Sequence, residues 1–509
     1  MHSFVPEPDS PYLTDESKLS GRADRVFFPE NAEDLQFLFE EATEQGIPVT
    51  VNAARTGVCG GGVPEGGWVV SLERFPGIMG IGKDEKGYYV RTGPCVPVRE
   101  LCDTVLMKRL DGLEDLTEDA CGEFRRDPGK YFYPVDPTEM DGSIGGNIAT
   151  NASGPRTLKY GPTRNWVKSI DVVFPYGRRM HIERGKHFAY DRRFDCFIDG
   201  IRLDLRIPDY DFNTDVKNAA GLYSRDGMDL IDLFIGSEGI LGTIVQAEVR
   251  LTEWHPLLSC IMFMPDDGSA LRLIRDIKHS DVSPEFLEYF DTGSVDLIRG
   301  SCGSDPTLLR PPDGKRSAVF VDLAMDGSLD GSLESVSGMM ERLGGDPGET
   351  WVGHDEDDRR RMFEFRHHVP KAIFDYVAGL KGEMPAINKM GTDMSVPEGA
   401  SDEMMGIYKR ELDASGLEYV IFGHMGDCHP HVEIILKDMD DLAKAREVYD
   451  VLAEHAYRLG GSPSAEHGIG KLKRKYIGMM YGGSGIGAIQ RIKLRFDPAY
   501  ILNRGDMVD

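Results

Sequence analysis

Ala53-Ala54-Arg55-Thr56-Gly57-Val58-Cys59-Gly60-Gly61-Gly62-Val63-Pro64 is the stretch on which the fold turns. Four of the six positions from 57 to 62 are glycine, so the backbone there can bend sharply and come close to another surface. The segment before it, Ile47 to Val51, is apolar and reads as a strand. A helix signal precedes that strand. Asn31 is placed to cap it, Glu33 and Asp34 fill the first turn, Leu35, Leu38, Phe39 and Ala42 follow helical spacing, and Gly46 stops it. Beyond the loop, Trp68 to Leu72 and Tyr88 to Arg91 read as further strands. A helix–strand unit feeding a glycine loop suits a phosphate-bearing nucleotide, because bare loop N–H groups can cradle its charge. No helical pattern follows the loop, which excludes the Gly-x-Gly-x-x-Gly arrangement of a Rossmann domain.

Working outward, Tyr133-Pro134-Val135-Asp136-Pro137-Thr138 reads as a turn. It leads into Asp141-Gly142-Ser143-Ile144-Gly145-Gly146-Asn147-Ile148-Ala149-Thr150-Asn151-Ala152-Ser153-Gly154, where small residues dominate. Such a run either forms loops or lies against a large ligand. Leu233 to Val245 is a second apolar stretch punctuated by glycine. Residues 103–130 and 180–225 are charged and irregular and read as insertions. From about residue 254 the glycine runs stop, and helical patterns alternate with strands such as Ile261 to Met264 and Ala318 to Leu323. The chain of 509 residues is too long for one core and is expected to form α+β domains.

The charge balance is 58 basic to 85 acidic residues, a net of −27. That excludes sequence-independent nucleic-acid binding, which needs a basic surface, and attraction to anionic lipid. The eight cysteines include no Cys-x-x-Cys pair, so ferredoxin-type clusters and zinc ribbons are excluded and free thiols in a reducing compartment are expected. Met1 to Asp9 has neither a basic start nor an apolar stretch, and the chain has no apolar run long enough for a transmembrane segment. The expectation is a cytoplasmic protein, with peripheral attachment at the inner face of the membrane left open.

Two segments near the C-terminus carry chemistry. Gly423-His424-Met425-Gly426-Asp427-Cys428-His429-Pro430-His431-Val432-Glu433 and Ser464-Ala465-Glu466-His467-Gly468-Ile469-Gly470 concentrate imidazole and carboxylate among glycines. Such ligands suit Zn, Mn or Fe. On a strand, His429, His431 and Glu433 share one face. A metal held by two distant segments, with an adjacent histidine as base, suits metal-assisted proton abstraction.

Taken together, these segments resemble the FAD-dependent D-2-hydroxyacid dehydrogenases of the vanillyl-alcohol-oxidase superfamily, a group that includes D-lactate dehydrogenase, the glycolate oxidase flavoprotein subunit and D-2-hydroxyglutarate dehydrogenase. The resemblance runs from about Pro29 to Asn503, with its motifs in the family's order. It implies an FAD-binding domain of the PCMH type, built of two α+β subdomains, and an α+β cap domain with an antiparallel sheet. The boundaries implied are 1–253 for the FAD domain, 254–460 for the cap with substrate and metal, and 461–509 for a segment returning to the FAD domain. Cofactor contacts are expected from Arg55, Thr56, Gly57, Gly60, Gly61, Pro134, Thr138, Gly142, Gly145, Gly146, Asn147, Asn151, Ser153, Gly154, Glu238, Gly239, Gly242, Ile244 and Asn503. With no histidine between Thr50 and Pro64, FAD is expected to be non-covalent.

The resemblance also implies that His424, His431 and Glu466 hold a divalent metal and that His467 is the general base. Arg366 and Lys389 would capture the substrate carboxylate. The family pattern Gly-Asp-Gly-Asn-x-His-x-Asn is altered here. Cys428 and His429 stand for Gly and Asn, and Glu433 stands for Asn. Glu433 is placed to become a fourth ligand, so Glu433→Gln is expected to weaken metal retention. His429 is open between ligand, second base and flavin contact. The implied activity is oxidation of a D-2-hydroxyacid, D-lactate-like by its Thr392-Asp393-x-x-Val396-Pro397 piece, with electrons passed to an external acceptor: a quinone, a cytochrome, an electron-transferring flavoprotein or an iron–sulfur partner. A homodimer stays open. The competing readings are an FAD-binding electron-transfer subunit of a larger oxidase, a metal-dependent hydrolase, and a metal-free flavin oxidase or ether-lipid-type synthase.

Overall fold

The computed structural model describes residues 1–302, 309–384, 387 and 389–508. The helix read from the sequence spans Ala32–Gln45. The Asn31 side chain accepts from the Asp34 N–H at 2.9 Å, and Gly46 closes the helix in the left-handed region at φ 66°. Leu35, Leu38, Phe39 and Ala42 are essentially fully buried. They pack on a four-stranded sheet in the order His2–Phe4, Arg25–Phe28, Trp68–Ser71, Val49–Asn52, whose last three strands are parallel. The chain's end returns to this sheet. Val49 donates to Ile501 O at 2.8 Å, Asn503 donates to Val49 O at 2.8 Å, and Ile501 and Leu502 join its core.

A second sheet of six strands follows the order Arg179–Glu183, Val167–Val173, Thr243–Arg250, Gly87–Thr92, Ile78–Asp84, Glu114–Asp115. Two sequence expectations are corrected here. Residues 103–130 are part of the subdomain rather than an insertion: Glu114–Asp115 pairs with Ile78–Asp84, and Val105, Leu110 and Phe124 are buried in its core. In 180–225, Arg179–Glu183 extends the same sheet, Arg193–Ile198 and Ile201–Arg206 form a hairpin, and Leu203, Leu205, Ala220 and Leu222 are core residues. The apolar positions in both stretches are too widely spaced to show a period, yet each lands on a core. Ile469, Ile477, Ile489, Ile492 and Phe496 of the C-terminal segment also belong to this second core.

The third unit is an antiparallel sheet of seven strands, ordered Trp351–Gly353, Leu257–Met264, Ser317–Ala324, Pro284–Phe290, Glu418–His424, His429–Ile435, Met390–Gly391. Leu257–Met264 and Pro284–Phe290 are buried along their whole length, because helices cover the sheet. Its core runs from Leu258 to Tyr476. The sheet meets the second subdomain where Lys159 pairs with Glu285. None of the described helices is long and apolar enough to cross a membrane.

Candidate functional site

The site begins with a hairpin register. Glu418–His424 and His429–Ile435 pair antiparallel with His424 opposite His429 and Phe422 opposite His431. Paired residues share a face, so a tight turn over Met425–Asp427 and a left-handed Cys428, φ 53°, bring three histidines together. Their ring centroids lie 4.6 to 5.6 Å apart. The second segment is fastened against them by one buried carboxylate. Asp393 accepts from the Glu466 and His467 backbone N–H groups at 3.1 Å each, from Ser464 Oγ at 2.9 Å and from Lys473 Nζ at 2.6 Å.

Each histidine spends one ring nitrogen outward and turns the other in. His424 Nδ1 meets Glu288 at 2.6 Å, His429 Nε2 meets Asp393 at 3.1 Å, and His431 Nδ1 meets the Thr392 carbonyl at 3.2 Å. The inward nitrogens all face Glu466. His424 Nε2 and His431 Nε2 are 3.5 and 3.3 Å from its Oε1, and His429 Nδ1 is 3.7 Å from its Oε2. One ligand atom from each of the four residues lies within 4.8 Å of the others, and His429 Nδ1 is buried with no hydrogen-bond partner among the described residues. Three imidazoles and a carboxylate, each histidine oriented from behind by an oxygen acceptor, fit a divalent Zn, Mn or Fe.

The electrostatics agree with that fit. Burial pushes His429 down to about 3, so its ring is neutral and able to ligate. Burial alone would raise the Glu466 carboxyl. The Lys217 ammonium and the His424 ring outweigh this and hold it well below the ordinary carboxylate range. Glu288 behaves alike: Arg366 and His424 override its burial and keep it strongly acidic. His467 is also pushed down by desolvation. It stacks on His431 at 5.7 Å, with Nδ1 3.5 Å from Asp393 and Nε2 3.7 Å from Glu466 Oε1. About a third of its side chain is exposed, the most open of the cluster's rings.

The structure places several of the expected residues elsewhere. Glu433 is not brought to the cluster; it pairs with Lys389 at 2.5 Å, against Gly391, whose missing Cβ leaves room for its carboxylate. The fourth residue is His429. Arg366 is buried, donating from Nε to Glu288 at 2.6 Å and from Nη2 to Thr138 Oγ at 3.3 Å, so its fork is turned to protein rather than to open space. Glu238 spends both oxygens on the Ile469 and Gly470 N–H groups, at 2.6 Å each. Asn503 accepts from the Val51 N–H and donates to the Glu238 carbonyl, fixing the chain's end rather than pointing outward. Asn151 accepts from the Arg164 N–H. At Gly145, Gly154, Gly239 and Gly242 a Cβ would strike Pro94, Asp136, Asn503 and Val172, so protein contacts alone account for those glycines. Pro134, Ser153 and Ile244 are buried.

The glycine loop behaves differently. The backbone N–H groups from Thr56 to Gly61 find no acceptor among the described residues. A Cβ at Gly142 would sit 3.0 Å from the Glu139 carbonyl and 3.4 to 3.5 Å from Asn147 Oδ1 and Thr56 Oγ, and Asn147 Nδ2 is buried without a partner among the described residues. Of the other glycines in these two segments, Gly57 has room for a Cβ, whereas a Cβ at Gly60 or Gly146 would meet Leu19 at 2.9 Å or Ser143 Oγ at 2.8 Å, and Arg55 lies over the Tyr12 ring at 4.5 Å. Unspent N–H groups and an orphaned amide fit the phosphates and polar edge of FAD.

Sequence reading missed Asp393 as the fastening residue, and it missed Glu288 and Lys217 altogether. Glu288 left one signal, a carboxylate inside the apolar run Pro284–Phe290, which needs a buried partner. Lys217 left none beyond its place in a run of small residues.

The chain is similar to known proteins in family and in fold. Residues 23–121 and 126–183 match the FAD binding domain family, and residues 259–507 match the C-terminal domain of FAD linked oxidases. Glycolate oxidase subunit GlcD of Bacillus subtilis is 25% identical, over 95% of this chain and 88% of that protein. D-lactate dehydrogenase of Anaerostipes hadrus is 25% identical over 98% and 93%, and D-2-hydroxyglutarate dehydrogenase of Xanthomonas citri pv. viticola 25% over 95% and 89%. Among solved structures, an alkyldihydroxyacetonephosphate synthase shares the fold with a TM-score of 0.60 at 14% identity, covering 95% of this chain and 76% of its own.

Proposed function

The chain belongs to the FAD-linked oxidases and is an oxidoreductase, and from that premise we propose that it oxidises a D-2-hydroxyacid, D-lactate-like, to the 2-oxoacid. Bound FAD would take the α-hydrogen with its electron pair, and a divalent ion held by His424, His429, His431 and Glu466 would polarise the hydroxyl. The observation that carries the reading is the convergence of three oriented imidazole nitrogens on Glu466 beside a more open His467.

His467 takes the hydroxyl proton at Nε2, the nitrogen turned away from Asp393. His429, kept neutral, binds without a proton to lose. Glu288 holds His424 in one tautomer, and Arg366 keeps Glu288 ionised, so Arg366 works through Glu288 rather than on the substrate. A bound ion would take an oxygen of the substrate carboxylate, and Lys389, a third exposed and paired with Glu433, is the cation left to meet the other if it exchanges that partner. The free N–H groups of Thr56 to Gly61 and the Asn147 amide would receive the cofactor. Three cores support a division into an FAD domain, 1–253, a cap, 254–460, and a returning segment, 461–509. An external acceptor would take the electrons that bound FAD collects.

The test is an anaerobic visible spectrum of the purified protein, recorded before and after adding D- and L-2-hydroxyacids and again after chelation. Bleaching of the oxidised flavin by one D-acid, abolished by chelation and restored by Mn²⁺ or Zn²⁺, is the expected result. Bleaching that survives full metal removal would overturn the metal's role, and a colourless protein that does not take up FAD would overturn the whole reading.

A further inference from the structure

Lys217 sits behind the cluster in a place that its neighbours fix closely. Its carbonyl accepts from Ser395 Oγ at 2.5 Å, and the next residues are tied to the segment that carries Glu466 and His467: Ala219 donates to the Ser464 carbonyl at 2.9 Å, and Asn218 Oδ1 accepts from Ser462 Oγ at 2.9 Å. The side chain is only 3% exposed. Its ammonium donates to the Gly154 carbonyl at 2.9 Å and to Glu466 Oε2 at 3.2 Å, and lies 3.7 Å from Asp427 Oδ2, a buried oxygen with no hydrogen-bond partner among the described residues. Lys217 is therefore a buried cation between two buried carboxylates, one of them a residue of the proposed metal set.

We propose that Lys217 is the internal counter-cation of the metal cluster: it keeps the unloaded cluster assembled and competes with the incoming ion for Glu466. The proposal rests on the metal reading above. Two carboxylates buried without a counter-charge are costly, and Lys217 removes that cost before any ion arrives. Once an ion is held by the three histidines and Glu466, the same ammonium is a like charge close by, in surroundings that screen poorly. Glu466 is shared between them. Its Oε1 faces His424 and His431, while its Oε2 lies 3.2 Å from Lys217 Nζ and 3.7 Å from His429 Nδ1, so the ammonium and the ion compete for that second oxygen. The site is thereby preformed when empty and binds its ion less tightly than four such ligands alone would. The metal remains exchangeable and the cap sheet does not depend on it.

The experiment uses the full flavin-loaded chain, stripped with a chelator and titrated with Mn²⁺ and with Zn²⁺, reading metal affinity and the thermal unfolding midpoint. Lys217→Met is expected to lower the metal-free midpoint by roughly 5 °C or more. It should also bind each ion about tenfold more tightly and show a larger metal-induced rise in midpoint than the unaltered chain. Lys217→Arg, which keeps the charge, should return both readings toward the original. If the Met variant does not fold even with metal supplied, Lys217→Gln takes its place under the same criteria. A neutral variant with an unchanged metal-free midpoint, or with weaker metal binding, would overturn the proposal. If the unaltered chain binds neither ion while a hydroxyacid still bleaches its flavin, the metal reading itself has failed, and this proposal goes with it.

Discussion

His424 can face the cluster with Nε2 because Glu288 holds its other nitrogen, and Glu288 can stay ionised in an apolar strand because Arg366 is locked to it. Glu288→Gln keeps the shape but loses the charge that serves both partners. Losing such an orienting carboxylate costs roughly 10- to 100-fold in metal affinity, and leaving Arg366 buried without its counter-ion costs ~3 kcal/mol or more. Metal content after dialysis and a denaturation curve measure the two effects. Glu433→Gln is the contrasting case. Its carboxylate answers Lys389 and not the cluster, so metal content should match the unaltered protein. Loss of metal in that variant would restore Glu433 to the ligand set that its strand position first suggested.

At the scale of elements, the hairpin sets the histidine geometry through its register, and the caps of the neighbouring helices hold the sheet that carries it. Asp291 caps the helix Thr292–Ser301, accepting from the Ser294 N–H at 2.7 Å. Burial pushes its carboxyl up to about 6 from 3.8, with Asp267 adding repulsion although Lys409 pairs with that residue. A carboxyl whose folded pKa is raised binds its proton more tightly in the native state. The stability it lends is complete below pH ~4 and is lost as pH climbs toward 6. Asp291→Asn keeps the acceptor and removes the charge. Its stability relative to the unaltered chain should rise between pH 4 and 7, by at most ~3 kcal/mol, read from paired denaturant curves. A difference that stays flat with pH would show that Asp291 is not buried as a charge.

At the scale of the molecule, the last fifty residues close what the first part opens. They supply Glu466 and His467 to the site, Ile469, Ile477, Ile489, Ile492 and Phe496 to the second core, and Ile501 and Leu502 to the first. Fully burying one Leu or Ile is worth ~2 kcal/mol, so a chain ending at residue 460 forfeits more than a domain's usual margin. Such a truncation should not yield soluble flavin-bearing protein. A soluble, yellow 1–460 fragment would show that the FAD subdomains stand without the returning segment.

What the sequence determined by itself was local. The helix Ala32–Gln45 with its Asn31 and Gly46 ends was legible because a 3.6-residue period and caps are properties of neighbouring residues. So were the glycine loop with its unspent N–H groups, and the clustering of His424, His431 and Glu466, which ligand chemistry and motif order suggested and the structure brings within 4.8 Å of one another. Only the tertiary structure decided which carboxylate serves which partner. Glu433 lies two residues from His431 yet turns to Lys389, Glu238 turns to the Gly470 loop, and Arg366 turns to Glu288. It alone brought Lys217 and Asp393 to the cluster, from 249 and 73 positions away from Glu466 in the chain. The physical reason is the range of the forces involved. Periodicity and turn chemistry act between neighbours in sequence, whereas a buried charge is satisfied by whatever the packed cores place within a few ångströms of it, and no spacing along the chain records that.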